Sequence, residues 1–586
     1  MKPLLRLLPY LKRYRKTLLL GVGTVVGSNL FTVFQPLFMG FAVDELKLGI
    51  ETKTYVSTDL LQWALLIVGF SLVAGFFTFM TRQTIIVVSR HIEFDLRNDL
   101  LAHLQKLSFS YFQNKPTGDL MAHATNDISA VRNVLGPGIM YPSDTLMTFT
   151  MVLALMLMKD WELTLLALIP LPFVSLAVYW LGKVIHHRFT ERQEQFSRLT
   201  TRAQENLSGI RVIKSYVREE YETERFYELS WDYLKKNLVL ARVQSILWPL
   251  MFLLVGCSML ITMYAGGIKV IDGEMTIGTL TAFVAYLVML IWPMIAFGWV
   301  INLMQQGAAS MGRLAAIFDT EPEIRDTERT DLSVQRIEGE IEFRNVGFTH
   351  KGAAKPTLQA INLHIARGMT VAVVGYTGSG KSTLVNLIPR LYDVTEGELL
   401  IDGRDVRTIP LQVLRSNIGY VPQETFLFSD TISENIRYGV AEGGDDRVFE
   451  AAHISHIAAD VSEFPRQYET MIGERGITLS GGQKQRTSIA RAVIRRPSIL
   501  ILDDAMSSVD TYTEEEILSR LREFMKGRTS IIISHRISTV KDADLIVVLD
   551  GGSIVERGTH EELVAFGGIY ADLHQKQLLE KELEEL

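Results

Sequence analysis

Six long apolar stretches fill the first 305 or so residues, beginning near Thr17, Leu60, Ile139, Leu163, Ile246 and Ile277. No other feature constrains the fold as strongly. About 20 apolar residues suffice to cross a bilayer as a helix, and in hydrocarbon the backbone must satisfy its own hydrogen bonds. The stretches are continuous rather than alternating, so the pattern predicts spanning helices over about 17–43, 60–88, 139–158, 161–183, 246–270 and 277–304. Mean hydropathy of +0.17 with 48% hydrophobic residues fits an embedded part joined to an ordinary soluble part.

The connections carry the orientation. "KDWE" (Lys159 to Glu162) and "KVIDGEMT" (Lys269 to Thr276) are tight turns, whereas about 89–138 and 183–245 are long, polar and helix-prone. The second of these is rich in Lys183, Arg188, Arg192, Arg198, Arg202, Arg211, Lys214 and Arg218; the loop "DELKLGIETKTYVSTD" has two lysines against four acids. The positive-inside rule then places both termini and both long connections in the cytoplasm, with the chain in the cell (inner) membrane. Lys12, Arg13, Arg15 and Lys16 precede an apolar segment that no small-residue cleavage site interrupts, which favours a span over a signal peptide.

Within the spans, Pro36, Pro142, Pro170, Pro172, Pro249 and Pro293 mark candidate kinks. Asp144 is an acid inside the third stretch, read either as a substrate contact or as lying near the outer end of that span. Cys257 is the sole cysteine, which excludes an intramolecular disulfide and a cysteine metal cluster. Its apolar neighbours predict a buried, inert thiol. A net charge of -7 gives no general attraction to nucleic acid.

From Asp319 the sequence becomes charged, which reads as a linker over 319–338 between a membrane part (1–318) and a soluble α/β part (339–577), followed by an acidic helical tail (578–586). "VAVVGYTGSGKSTL" places Gly375-x4-Gly380-Lys381-Ser382 after a strand-like run and before a helix-like one, the context of a phosphate-binding loop. Gly375, Tyr376, Thr377, Gly378, Ser379, Gly380 and Thr383 supply loop and helix-start N–H groups, Lys381 is expected on the β/γ phosphates, and Ser382 on Mg²⁺. "ILILDDAMSSVD" ends an apolar strand in two acids. Asp503 is expected to hold Mg²⁺ largely through water, and Asp504 stands where a base meets the water attacking the γ-phosphate.

"LSGGQ" (Leu479 to Gln483), followed by "KQRTSIARA", turns a generic nucleotidase into a family. The chain closely resembles an ABC exporter half-transporter over nearly its whole length. The resemblance implies an all-α six-helix transmembrane domain with long cytoplasmic helix extensions, followed by an α/β P-loop ABC ATPase domain. It assigns Gln423 in "GYVPQETFLF" to the loop that touches Mg²⁺ and contacts the membrane part. It assigns Glu474, Arg475 and Gly476 to the short loop before the signature, and Ser480, Gly481, Gly482 and Gln483 to the signature. Asp510 falls to the loop joining two nucleotide sites, and His535 to the switch near the γ-phosphate. Segments around Tyr111–Gly118 and Ser208–Tyr216 match the coupling helices. In this family the signature clamps ATP held by the other subunit, so the implied working unit is a dimer in a lipid bilayer with two sandwiched ATPs.

Two residues depart from the family pattern. Adenine is usually stacked by a Tyr where this chain has His350. The catalytic base is usually Glu, where Asp504 is one methylene shorter; a catalytic group misplaced by about 1 Å costs on the order of 100-fold in rate. An intact signature beside a weakened base resembles one subunit of a heterodimeric multidrug-type exporter. In that reading Lys381, Ser382, Asp503, Asp504 and His535 line a slow site, while Ser480 to Gln483 complete the partner's fast one. The alternative is a homodimeric lipid flippase of the same fold. Six spans argue against a soluble ABC ATPase acting on nucleic acid, and the intact ATP motifs against a non-transporting regulator. The chain starts almost at its first span, which sets the expectation against an N-terminal peptidase domain. The spans' aromatic and Met residues (Phe31, Phe34, Met251, Phe252, Tyr286, Met289, Trp292, Met294) read chiefly as packing or lipid-facing. A small amphiphilic or hydrophobic substrate is the expectation.

Overall fold

The computed structural model describes residues 2–52, 57–473 and 479–584; Glu474, Arg475 and Gly476 lie outside the described residues. The chain divides into two compact units, Met1–Gln105 with Gly118–Thr320, and Lys106–Thr117 with Glu321–Leu586.

Among the described residues of the first unit, six helices are long and apolar enough to cross a membrane: Arg15–Thr52, Thr58–Leu104, Thr117–Lys159, Trp161–Ser208, Glu219–Ile271 and Ile277–Phe318. Each exceeds the length a bilayer needs; the 53-residue fifth helix is about 80 Å long at about 1.5 Å per residue. Leu19, Leu65, Leu72, Phe76 and Leu253 point outward, as side chains with lipid for a solvent do. Val33, Val152, Met156, Leu163, Phe283, Tyr286 and Leu290 close the interior, and the Tyr286 hydroxyl donates to the Val33 carbonyl at 3.1 Å. Cys257 corrects the sequence reading: it is exposed, not buried. Its neighbour Ser258 packs inward, donating to Ala167 O at 2.5 Å, and this turns Cys257 outward with Leu253 and Leu260, while Leu254 stays packed on the core.

The prolines divide into two kinds. Pro36 and Pro170 sit at breaks in the helical run, at Phe34 and Ile169–Pro170, whereas Pro142, Pro249 and Pro293 lie inside continuous helices. Asp144 is not near the Lys159–Glu162 turn; about four helical turns separate them. It accepts from the Asn29 amide at 2.8 Å, and Thr148 donates to the other end of that amide, tying the third helix to the first.

The first and sixth helices touch through glycines. A Cβ at Gly278 would fall on the Gly40 carbonyl and beside Asp44, whose carboxylate accepts from Gly278 N–H at 2.7 Å. Gly278→Val should force these backbones apart and lower stability by about 1–3 kcal/mol, read as a drop in Tm of the detergent-solubilised protein.

Among the described residues of the second unit ten strands form two sheets: β1 (Ile341–Phe348), β2 (Leu358–Ile365), β3 (Thr370–Val374), β4 (Glu396–Ile401), β5 (Arg404–Asp405), β6 (Ile418–Val421), β7 (Ile499–Asp503), β8 (Thr529–Ile533), β9 (Leu545–Asp550) and β10 (Ser553–Gly558). One sheet is antiparallel, ordered β2-β1-β4-β5; the other is ordered β10-β9-β3-β8-β7-β6, parallel except for β10. The central strands are near-continuous apolar runs because both faces are covered, with Thr529 and Ser530 opening β8 and Asp503 closing β7 as buried polar exceptions. Ala372, Val374, Leu500, Leu502, Ile532, Ile546 and Val548 face one core, and Val371, Val373, Ile499, Ile501, Ile531, Ile533, Val547 and Leu549 the other. Residues 106–117 belong to this unit. Phe109 meets Tyr392 edge-on with ring centroids 5.8 Å apart, Ser110 donates to Glu323 at 3.1 Å, and Ile324 N–H donates to Ser108 Oγ at 3.0 Å.

Candidate active site

Parallel pairing delivers the chemistry to one edge. Val373 pairs with Ile533, Asp503 with Ile533, and Val421 with Leu502. Gly375 and Asp504 therefore follow directly on β3 and β7, and His535 and Gln423 stand two residues past β8 and β6, all beyond the carboxyl ends of neighbouring strands. Ligands of open α/β sheets bind at this edge.

The phosphate loop is shaped by glycines that no other residue replaces cheaply. Gly375, Gly378 and Gly380 have φ of 146°, 84° and 101°. A Cβ on Gly375 would strike the Leu549 carbonyl, and one on Gly380 would meet Leu358 Cδ2 at 2.9 Å. The loop ends in helix α1 (Lys381–Leu387), whose first residues include Ser382 and Thr383. Lys381 folds back over the loop, its Nζ donating to Gly375 O at 2.9 Å and Tyr376 O at 2.8 Å. It is 7% exposed, and burial lowers its pKa against the opposing pull of Asp503 and Asp504. Among the described residues the buried Ser379 hydroxyl has no hydrogen-bond partner. An ammonium held only by the loop's own carbonyls, an orphaned hydroxyl and a glycine cradle together fit a bound phosphate chain. Gly375→Ala should weaken ATP binding on the order of 10- to 100-fold, measured by titration with a fluorescent ATP analogue.

Ser382 Oγ donates to Asp503 Oδ1 at 3.1 Å, so the two expected Mg²⁺ ligands already meet. Asp503 is 2% exposed; burial raises its pKa, the Ser382 bond works against this, and Asp504 adds to it. A cation beside Asp503 relieves that cost. Among the described residues no group of three or more His, Cys, Asp or Glu is placed to hold a metal, so an ion here would rest largely on phosphate and water. Asp504 has φ of 49°, and its N–H donates to Ile533 O at 2.9 Å, which pins it to the strand that leads to His535. Gln423 is exposed, two residues past β6. His350 lies edge-on to Phe348 and Tyr392, with centroids 4.8 and 5.4 Å away.

The signature opens helix α2 (Gly481–Val493) with a capping box: Ser480 Oγ accepts from Gln483 N–H at 3.2 Å, and Gln483 Oε1 from Ser480 N–H at 3.0 Å. Gln483 Nε2 donates to Asp460 at 3.0 Å. Ser480 and Gly481 are exposed. The next loop packs against α2, with Gln485 donating to Ser507 Oγ at 2.9 Å and accepting from Ser508 N–H at 3.0 Å. Asp510 caps helix α3 (Thr511–Met525) by accepting from Thr513 N–H at 2.9 Å, and hydrogen bonds from Thr513 hold its pKa down.

Two anchors of this site escaped the sequence reading. Glu514, 2% exposed, binds Arg536 and Thr539, and Arg536 also donates to Val509 O at 3.1 Å. Glu514 looks like its neighbours Glu515 and Glu516, but its spacing to Ile517, Leu518 and Leu521 puts it on the buried face of α3. Gln577 holds the switch loop from the last helix, and no local pattern marks it.

Residues 18–294 match the family model described as ABC transporter transmembrane region, and residues 358–507 the one described as ABC transporter. The chain belongs to the ABC exporters. It is a half-transporter: one transmembrane domain and one ATP-hydrolysing domain on a single chain. The exporter is 39% identical over 97% of both chains to YheI of Bacillus subtilis (strain 168), a probable multidrug resistance ABC transporter ATP-binding/permease protein. It is 38% identical to an ATP-dependent lipid A-core flippase of Syntrophus aciditrophicus (strain SB), over 90% of this chain and 88% of that one. To the multidrug resistance-like ATP-binding protein MdlA of Escherichia coli (strain K12) it is 34% identical, over 98% and 97%. A bacterial Atm1-family ABC exporter solved with ATP bound superposes with a TM-score of 0.81 at 28% identity, covering 96% of this chain and 99% of that one. Exporters of this kind work in the membrane as dimers.

Proposed function

We propose that this exporter is one subunit of a heterodimer that moves amphiphilic or hydrophobic compounds out of the cytoplasm or inner leaflet by alternating access. The single observation that carries this reading is Asp504 beside an intact LSGGQ. Lys381 and the loop amides hold the β/γ phosphates, Ser382, Gln423 and Asp503 hold Mg²⁺, and His350 stacks adenine. His535 reads the γ-phosphate, and Asp504, one methylene short, polarises water poorly. Mg²⁺ supplies charge neutralisation on the phosphates. Exposed Ser480 and Gly481, at the start of a helix whose Gly481 and Gly482 N–H groups lie outside the capping box, clamp the partner's ATP beside its own Glu. Residues 208–216 carry an apolar tip that the chain itself leaves uncovered, Val212 and Tyr216 being exposed, and it serves as a coupling contact. Both termini and the ATPase domain are cytoplasmic. The multidrug relatives support the substrate class.

A homodimeric lipid flippase is the second reading, favoured by the likeness to the lipid A-core flippase. Purification from native membranes separates the two. The heterodimer predicts a distinct second chain with a Glu base and a degraded signature. Recovery of this chain alone, or of a partner with a second Asp and an intact signature, sinks the proposal. ATP-dependent uptake of an amphiphilic dye into inverted vesicles tests transport itself.

A further inference from the structure

We infer that Gln577 is a positioning residue for His535, and that the last helix straps the switch loop to the phosphate loop. This rests on the assignment of His535 to the γ-phosphate. Helix α4 (Ile569–Glu584) follows β10 by about a dozen residues and carries none of the family's ATP motifs. Its Gln577 side chain nevertheless grips the switch loop at two points. The amide NH₂ donates to the His535 carbonyl, and the amide oxygen accepts from Ile537 N–H at 2.8 Å. These two bonds fix the peptide units on either side of Arg536, the first of which carries the His535 carbonyl and so sets the C-terminal side of the backbone from which the His535 side chain leaves.

The other side of the same loop is tied down independently. Arg536 N–H donates to Ser534 Oγ at 3.0 Å, and the Arg536 guanidinium reaches Val509 O and buried Glu514. The switch histidine is thus suspended between α3, through Arg536, and α4, through Gln577. About one and a half turns before Gln577, Asp572 accepts from the Tyr376 hydroxyl at 3.3 Å and from Lys576 at 2.8 Å. Tyr376 belongs to the phosphate loop. A single helix therefore contacts both loops that must agree on the position of the γ-phosphate. Small displacements of such groups have large consequences, so α4 sets the register between them.

The contrast between ATP and ADP tests this, because only ATP has the phosphate that His535 addresses. The full chain, purified with whatever subunit accompanies it, is photolabelled with 8-azido-ATP in competition with ATP or ADP, and the chains are then separated so that this chain's own site is read. Gln577→Ala should weaken ATP about tenfold and leave ADP within about twofold, the loss of one hydrogen bond to a charged group. Gln577→Glu keeps the acceptor for Ile537 but offers no donor to the His535 carbonyl, so it should show the same selective loss. Added to His535→Ala, Gln577→Ala should cost nothing further, since it acts through that residue. ATP and ADP weakened alike, a wild-type Gln577→Glu, or an additive double variant each overturns the inference. If His535→Ala itself leaves ATP binding untouched, the failure lies in the assignment of His535.

Discussion

Replacing Asp504 with Glu should raise hydrolysis at this chain's own nucleotide site on the order of 100-fold. The backbone cannot make up for the short side chain. Asp503 is paired to Ile533 in a parallel ladder, and Asp504 N–H is held on the same Ile533 carbonyl at 2.9 Å. With both anchors on β8, the carboxylate cannot advance towards the attacking water without breaking strand pairing. The extra methylene lets it advance alone. A factor of 100 corresponds to about 2.7 kcal/mol of barrier. The opposing effect is backbone strain at φ of 49°, which Asp tolerates better than Glu. Asp already sits in that conformation, so the added cost is a few tenths of a kcal/mol and the gain in reach prevails. The measurement is single-turnover hydrolysis of ATP bound to this chain, with any second site silenced by removing its phosphate-loop lysine. An unchanged rate would show that reach does not limit Asp504.

The features visible in the sequence were those written contiguously. Six apolar runs need no partner to be recognised, and the strand-then-glycine and strand-then-acid patterns announced the edge at which Gly375, Asp503 and Asp504 emerge. Parallel registers, Val373 with Ile533 and Asp503 with Ile533, then brought His535 alongside. What stayed hidden depends on which face of a helix meets something distant. Cys257 and Ser258 are adjacent and equally apolar in context, yet one faces outward and the other bonds Ala167. Asp144 drew attention as an intramembrane acid, but its tie to Asn29 joins residues 115 apart. Gln577 reaches across 42 residues to His535, and among the polar residues of a charged tail nothing local distinguishes it.

The proposed asymmetry of two sites yields the other large effect. Gly481→Asp should lower steady-state ATPase activity on the order of 100-fold, while Asp504→Asn should leave it within about twofold. Gly481 opens α2 and is exposed. A carboxylate there favours the helix itself, since acids near a helix N-terminus stabilise it by about 0.3–1 kcal/mol. The Ser480–Gln483 capping box involves no Gly481 side chain and survives. A Cβ at Gly481 lies 3.1 Å from Ser508 Cβ, so the Ser508 loop must give by a few tenths of an ångström; the larger loss comes from setting a negative charge where the signature amides should meet phosphate. In a heterodimer that clamp completes the fast site, so turnover collapses. In that heterodimer Asp504 would belong to the slow site, where amidation removes a base that contributes little. In a homodimer both residues serve every site, and both substitutions must fall together. The ratio of the two residual rates, measured on the same purified complex, thus decides between unequal and equal sites without identifying the cargo.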